Sequence, residues 1–251
     1  MAHTSSVTYP GYVLEERNTL SARSALLSAL LGSHPPELAA RQLVRIGALF
    51  GIAEGTVRVA LSRMVSAGDL VPADGRYRLS ERLVERQARQ DESRDPRTRP
   101  WTGTWEIAVV TAERRVPAER AALRHAMGAL RLAELREGTW TRPANLSRTW
   151  PQTVLAQCTL FDGRPHDDPT PLLWDLGEWA AQARSLEQAL SRPRDLADGF
   201  LVSAGVLRHL LRDPLLPPEL LPADWPGERL RARYDDFDRD YREVLMRHLA
   251  D

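Results

Sequence analysis

The chain has 251 residues, 43% of them hydrophobic, and its 34 basic residues are balanced by 34 acidic ones. That length exceeds one typical domain of roughly 100–200 residues and predicts two or three, while a zero net charge excludes inferring a nucleic-acid partner from bulk electrostatics. The longest apolar stretches fall short of the ~20 residues that span a bilayer, and no apolar run follows the polar start at residues 1–6, so a cytoplasmic protein without a membrane segment is expected.

Cys158 is the only cysteine, which excludes an internal disulfide framework or a multi-cysteine zinc site. In the alternation Val154, Ala156, Cys158, Leu160 it reads as a small buried hydrophobe rather than a nucleophile. Every basic residue is arginine, which with the heavy use of alanine and leucine points first to the codon bias of a GC-rich genome. The charges are unevenly spread. Between positions 38 and 89 nine arginines face five acids, whereas Asp235, Asp236, Asp238 and Asp240 make an acidic patch.

Residues 1–20, with Tyr9-Pro10-Gly11, read as a tail. From Ser21 a helix carries Leu27, Leu30 and Leu31 on one face and stops at Gly32. His34-Pro35-Pro36-Glu37 is expected to turn into a second helix, proline suiting its first turn; Leu43, Ile46 and Phe50 are its inner face and Gly51 its end. After the short link Ile52-Ala53, a third helix over residues 54–67 shows Val57, Ala60, Leu61, Met64 and Val65 at i, i+3, i+4, i+7, i+8 spacing. Leu70-Val71-Pro72 and Tyr77-Arg78-Leu79 flank Asp74-Gly75, the signature of a β-hairpin. Helix, helix, tight turn, helix, hairpin is the order of a winged helix-turn-helix, assigned to residues 21–90, whose third helix would enter the major groove.

Residues 91–100, charged and carrying two prolines, read as a linker. In residues 101–168 a strand with Trp105, Ile107 and Val109 on one face precedes a helix opened by Pro117, with Leu123, Ala126, Met127 and Leu130 inward. Further strands are expected around 135–141 and 154–161, giving a small α+β unit of ferredoxin-like type. Residues 169–251 read as helical, with stripes Leu176, Trp179, Ala180, Ala183, Leu186, Leu190; then Leu201, Ala204, Leu207, Leu211; then Leu230, Tyr234, Phe237, Tyr241, Leu245, His248. Prolines 214, 217, 218 and 222 are too frequent for a helix between the last two. The fold class is therefore multidomain α+β.

DNA recognition would fall to the polar side of the third helix. Thr56 at its N-terminus suits a phosphate, Arg58 and Ser62 lie one above the other, and Arg58 or Arg63 could grip a guanine edge as a fork. Arg76 and Arg78 in the hairpin suit phosphates or the minor groove. Taken singly, each arginine is more simply a solvated charge, and Arg58 could fold back onto Glu54; placed together on this order of elements they read as a DNA-binding set.

Three stretches carry a resemblance to the PaaX family, negative regulators of phenylacetic acid degradation operons. The first is Leu49-Phe50-Gly51-Ile52 followed by 56–64, Thr-Val-Arg-Val-Ala-Leu-Ser-Arg-Met, and Gly75-Arg76-Tyr77. The second is Trp101-Thr102-Gly103-Thr104-Trp105, with Gly138-Thr139-Trp140 and Arg142-Pro143. The third runs from Asp213-Pro214-Leu215-Leu216-Pro217 through Glu219-Leu220-Leu221-Pro222 to Asp224-Trp225-Pro226-Gly227. The resemblance implies a homodimeric repressor of aromatic-acid catabolic genes, with a winged helix domain, a middle domain shaped like the nuclease Cas2 and a helical C-terminal domain for effector sensing or dimerisation. It also implies relief by an acyl-CoA effector, of which an arylacetyl-CoA is the family's example.

The effector would meet an aromatic pocket of Trp174, Trp179, Phe200, Trp225 and Tyr234, with Arg208, His209 or Arg212 on its anionic group; the simpler reading makes these aromatics core residues. A two-fold dimer would read an inverted-repeat operator in double-stranded DNA. No cofactor, metal site or catalytic residue is expected. The first strand of the middle unit ends Val109-Val110-Thr111, without the carboxylate a Cas2-like metal nuclease needs, and His166-Asp167-Asp168 reads as a polar turn rather than a cation site. The remaining alternative is a scaffold protein whose winged helix no longer binds DNA.

Overall fold

The computed structural model describes residues 21–193 and 195–250, so the tail assigned to residues 1–20 lies outside the described residues, as does the side chain of His248. The first unit contains α1 (Ala22–Leu31), β1 (Glu37–Ala39), α2 (Ala40–Leu49), α3 (Glu54–Ser66), β2 (Leu70–Ala73), β3 (Arg76–Leu79) and α4 (Glu81–Arg94). Leu26, Leu27, Leu30, Leu43, Ile46, Val57, Leu61 and Met64 belong to its core; all but Leu26 lie on the stripes anticipated from helical spacing, while Leu31, expected on the inner face of α1, is only half-buried. Asp74 and Gly75 both take positive φ, 48° and 74°, as the two central residues of a type I′ hairpin turn require.

Two expectations in this unit are corrected. Pro35-Pro36-Glu37 does not open a helix: residues 37–39 are a third strand, antiparallel to β3, with Glu37 opposite Arg78 and Ala39 opposite Arg76. A residue preceding proline is pushed toward extended backbone, and the Leu79 N–H completes the pairing by donating to the Pro36 carbonyl at 3.1 Å. The helix starts only at Ala40, where the Gln42 side chain accepts the Ala39 N–H at 2.8 Å. The linker does not begin at residue 91 either, because residues 91–94 are the last turn of α4. Apolar periodicity missed α4 because its buried face is mostly polar, Leu83 followed by Gln87, Gln90 and Ser93. Gln87 donates to the Leu31 and Ser33 carbonyls, satisfying the end of α1.

The middle unit runs β4 (Trp105–Val110), α5 (Pro117–Ala129), β5 (Ala133–Arg136), β6 (Thr139–Pro143), α6 (Gln152–Leu155) and β7 (Cys158–Gly163). Its antiparallel sheet has the order β5-β6-β4-β7, with the helices covering one face through Ala108, Leu123, Met127, Trp140, Val154 and Cys158. The strand expected around 135–141 is a hairpin turning at Gly138, φ 77°. Val154 lies in a helical turn rather than in a strand. Cys158 is buried, and burial pushes its thiol pKa up, against a nucleophilic role.

The C-terminal unit consists of α7 (Thr170–Leu173), α8 (Leu176–Ser191), α9 (Leu196–Leu210), a short 3-10 turn at Pro218–Leu220 and α10 (Gly227–Ala250). The apolar stripe expected on α9 is displaced by one residue: Phe200, Ser203, Val206 and Leu210 are buried, while Leu201, Ala204, Leu207 and Leu211 are half-buried. Both sides are covered because α9 packs against α8 and α10 and also against α4. The serine on the buried side is satisfied, its hydroxyl donating to the Phe200 carbonyl at 2.8 Å.

Candidate nucleic-acid interface

The approach of α3 to α2 is set by Gly47. A Cβ at that position would lie 2.3 Å from Cγ2 of Val57, so only glycine admits the two helices at this distance. With Val57, Leu61 and Met64 turned inward, the opposite side of α3 faces solvent and carries Thr56, Arg58, Ser62 and Arg63, all exposed. The N-cap, Ala53, offers no side-chain acceptor, so the first N–H groups of α3 are left to solvent or to an anion.

Arg58 binds Glu54 one turn back, at 2.8 Å from Nε and 2.6 Å from Nη2, the fold-back anticipated from the spacing. Its side chain remains 69% exposed, and an exposed i,i+4 pair contributes only about 0.3–0.5 kcal/mol, so a phosphate or base edge can displace the glutamate. Arg63 makes no ion pair among the described residues.

On the hairpin, Tyr77 packs on the core and Leu79 is buried, which sends Arg76 and Arg78, the alternate residues of β3, to the solvent face. Arg76 is paired with Glu37 of β1, and Arg78 makes no ion pair among the described residues. The hairpin is tied to α2 by the Ala40 N–H, which donates to the Gly75 carbonyl at 3.0 Å. That bond places exposed Arg41, in the first turn of α2, beside the hairpin. Arg41 was not singled out in the sequence, where nothing separates it from the other arginines until β1 fixes where α2 begins.

The four residues expected to hold an effector are not brought into one pocket. His209 is buried and stacks on Trp179 at 4.3 Å, while Trp179 also stacks on Trp225 at 4.4 Å. These aromatics therefore fill the space among themselves. Arg208 and Arg212 are exposed; Arg212 borders a shallow cleft with Trp174, Arg131 and Pro214. Phe200 contacts Phe50 and Tyr241 at 5.7 and 5.9 Å, and Tyr234 belongs to the helical core. At the polar turn after β7, Asp168 accepts the Thr170 N–H at 2.9 Å, a local turn contact.

Two families describe the sequence: PaaX-like protein matches residues 19–83, and PaaX-like protein C-terminal domain matches residues 174–251. The chain belongs to the PaaX family. A solved structure of the uncharacterized protein Rv0674 from Mycobacterium tuberculosis is 46% identical, covers 91% of this chain and 99% of its own, and superposes with a TM-score of 0.79. No curated protein matches. The two PaaX segments flank the four-stranded sheet unit. No helix among the described residues is long and apolar enough to cross a membrane.

Proposed function

We propose that this PaaX-family chain is a sequence-specific DNA-binding repressor, acting as a homodimer on an inverted-repeat operator. The observation that carries the reading is that α3 and the β2–β3 hairpin, two elements of one unit, both turn arginines to solvent. Thr56, Arg58, Ser62 and Arg63 on α3 and Arg76 and Arg78 on β3 are all exposed, and two of the four arginines lack an acidic partner among the described residues. In this reading the first unit is a winged helix-turn-helix, α3 enters the major groove, and the hairpin arginines and Arg41 hold phosphates without reading sequence. The middle unit's β-α-β-β-α-β order and its strand order β5-β6-β4-β7 support a ferredoxin-like, Cas2-like shape.

The regulated genes would be aromatic-acid catabolic genes of the phenylacetate type, and the signal an acyl-CoA, as family membership suggests. The reading is of a regulator rather than an enzyme. β4 ends at Val110 and is followed by Thr111, where a Cas2-like metal nuclease needs a carboxylate.

The deciding experiment selects bound duplexes from random DNA with the full chain, then measures affinity against salt. An enriched inverted repeat with half-sites about 34–36 Å apart is expected, with log affinity falling by about 0.9 per log salt for each phosphate contact. Arg63→Ala and Arg78→Ala should each bind more weakly than wild type while unfolding at the same temperature. Arg63→Ala should relax base preference, whereas Arg78→Ala should reduce the salt slope by about one contact. If no sequence is enriched, the scaffold reading replaces this one.

A further inference from the structure

Between α4, residues 96–97, the end of α5 and the turn after α9 lies a small, open-mouthed cleft. Four arginines line it: Arg89 from α4, Arg97, Arg131 and Arg148, against one acid, Glu92. Pro96, Leu146, Leu211 and Leu215 supply apolar wall.

The floor of the cleft holds more positive charge than its neighbourhood neutralises. Arg142, immediately beneath, is fully buried, and its donors reach only neutral acceptors: the carbonyls of Pro143, Arg131, Pro214 and Leu215 and Oδ1 of Asn145. The nearby carboxylates are committed elsewhere. Glu106 binds Arg148 at 2.5 Å with Arg99 at 3.9 Å, and Asp213 binds Arg231 at 2.6 Å. Buried cations ordinarily acquire acidic partners. Here burial and then repulsion from Arg148 push the Arg142 pKa down to about 9, which leaves it a cation at neutral pH.

Two further features belong to the residues that line the same cleft. Arg148 is 11% exposed, and although its Nη2 serves Glu106, its Nε and Nη1 are buried with no hydrogen-bond partner. Those nitrogens lie inside the protein behind the cleft wall, the guanidinium over the Trp150 ring, and add positive charge there without an acceptor, a costly arrangement. Arg131 occupies the position after the α5 cap with φ 61°. Its N–H donates to Gly128 while the next N–H donates to Met127, a Schellman ending that glycine fills most cheaply. The arginine holds this unfavourable backbone while its guanidinium reaches the Leu211 carbonyl. Leu215, also on the wall, has φ 53°, with its carbonyl accepting from Arg142 and Asn145. Backbone held in sparsely populated regions collects at ligand sites.

We propose that this cleft is a binding site for an organic anion, whose phosphate or carboxylate group is held by Arg131 and by the rim residues Arg89 and Arg97, with the buried charges of Arg142 and Arg148 behind them. The apolar part of the ligand lies against Pro96, Leu146 and Leu215. Binding there bridges α4 to the sheet unit, and α4 follows β3 of the hairpin directly through Ser80. The consequence for DNA affinity rests on the repressor reading above; the binding itself does not.

The test titrates the full chain with pyrophosphate and, separately, with benzoate at constant ionic strength, following tryptophan emission. Trp150 reports the site, because the Arg148 guanidinium lies 4.7 Å over its ring. A saturable change is expected with at least one of the anions, and the one that binds identifies the group as phosphate or carboxylate. Arg131→Met should weaken it about tenfold or more, the scale of losing a charged hydrogen-bonding partner. The double variant Arg89→Ala/Arg97→Ala, confined to the exposed rim, should weaken it severalfold without altering the melting temperature. No saturable change with either anion overturns the proposal, as does a change that the rim variant leaves intact. The titration contains no DNA, so its failure is distinct from failure of the repressor reading.

Discussion

Asp69, in the turn between α3 and β2, is 2% exposed at the side chain and joins two helices, because Arg23 of α1 binds Oδ2 and Arg82 of α4 binds Oδ1, each at 2.7 Å. Its backbone does the same work, donating to Met64 and accepting from Ser80. Both guanidinium groups are more than half exposed, so removing the carboxylate charge returns them to water rather than stranding them. Asp69→Asn is therefore expected to cost about 1–3 kcal/mol, less than breaking a fully buried pair, read as a lower urea midpoint with an unchanged slope. His209 shows the opposite situation. Nε2 meets the Trp179 carbonyl at 3.0 Å, which can only accept, so that nitrogen carries the proton and Nδ1 is left without a partner. Burial above all lowers its pKa, from the ordinary 6.5. The unfolded chain then takes up a proton that the folded chain refuses, and stability falls as pH drops below about 6.5. Urea midpoints at pH 7.5 and 5.5 check this: His209→Phe should lose less between the two than wild type, and equal losses would dismiss His209 as the source.

At the scale of elements, the α2–α3 crossing depends on a missing methyl. Gly47→Ala must push Val57 away, and overpacking of this kind costs about 1–3 kcal/mol; because Val57 belongs to α3, the proposed repressor function predicts weaker DNA binding as well. Gly55, in the first turn of α3, has nothing within 4 Å of an added Cβ, so Gly55→Ala should be neutral or stabilising by up to about 1 kcal/mol. Thermal unfolding of the two variants separates them by sign. The sequence makes α3 legible because Val57, Leu61 and Met64 recur at helical spacing, and makes the hairpin legible because Asp-Gly is nearly obligatory in its turn. It hides β1, whose three residues have no period of their own and acquire an extended conformation from pairing with β3. It hides α4 as well, where glutamines take the inward positions. The exposed set on α3 and β3 could be read from the inward residues by subtraction. The cleft could not, since Arg89, Arg131 and Arg148 come from segments far apart in the chain.

At the scale of the molecule, the first unit is fastened to the C-terminal helices. Arg94 of α4 binds Asp235 at 2.7 Å and Asp238 at 3.3 Å on α10 and lies 5.0 Å over the Tyr234 ring. Arg231 of α10 reaches back to the Ser93 carbonyl at 3.0 Å. Phe50 at the end of α2 meets Phe200 of α9, and Leu245 of α10 packs on the first unit's core. The acidic patch legible near the C-terminus thus has an internal use, as the seat for an arginine, instead of presenting only a charged outer surface. The exposed face of α3, mounted this way, shifts position only with the helices behind it, so an event in the C-terminal half can reach α3 without a flexible tether. The strength of that fastening is measurable by a double-mutant cycle on Arg94→Ala and Asp235→Ala. Arg94 is 22% exposed and Asp235 44%, so the coupling should exceed that of a surface pair, at about 1–2 kcal/mol. A coupling indistinguishable from zero would mean that the apolar contacts at Phe50 and Leu245 hold the units alone. In that case Phe200→Ala, and not Arg94→Ala, should be the variant in which hydrogen exchange in α2 rises toward that of the separated unit.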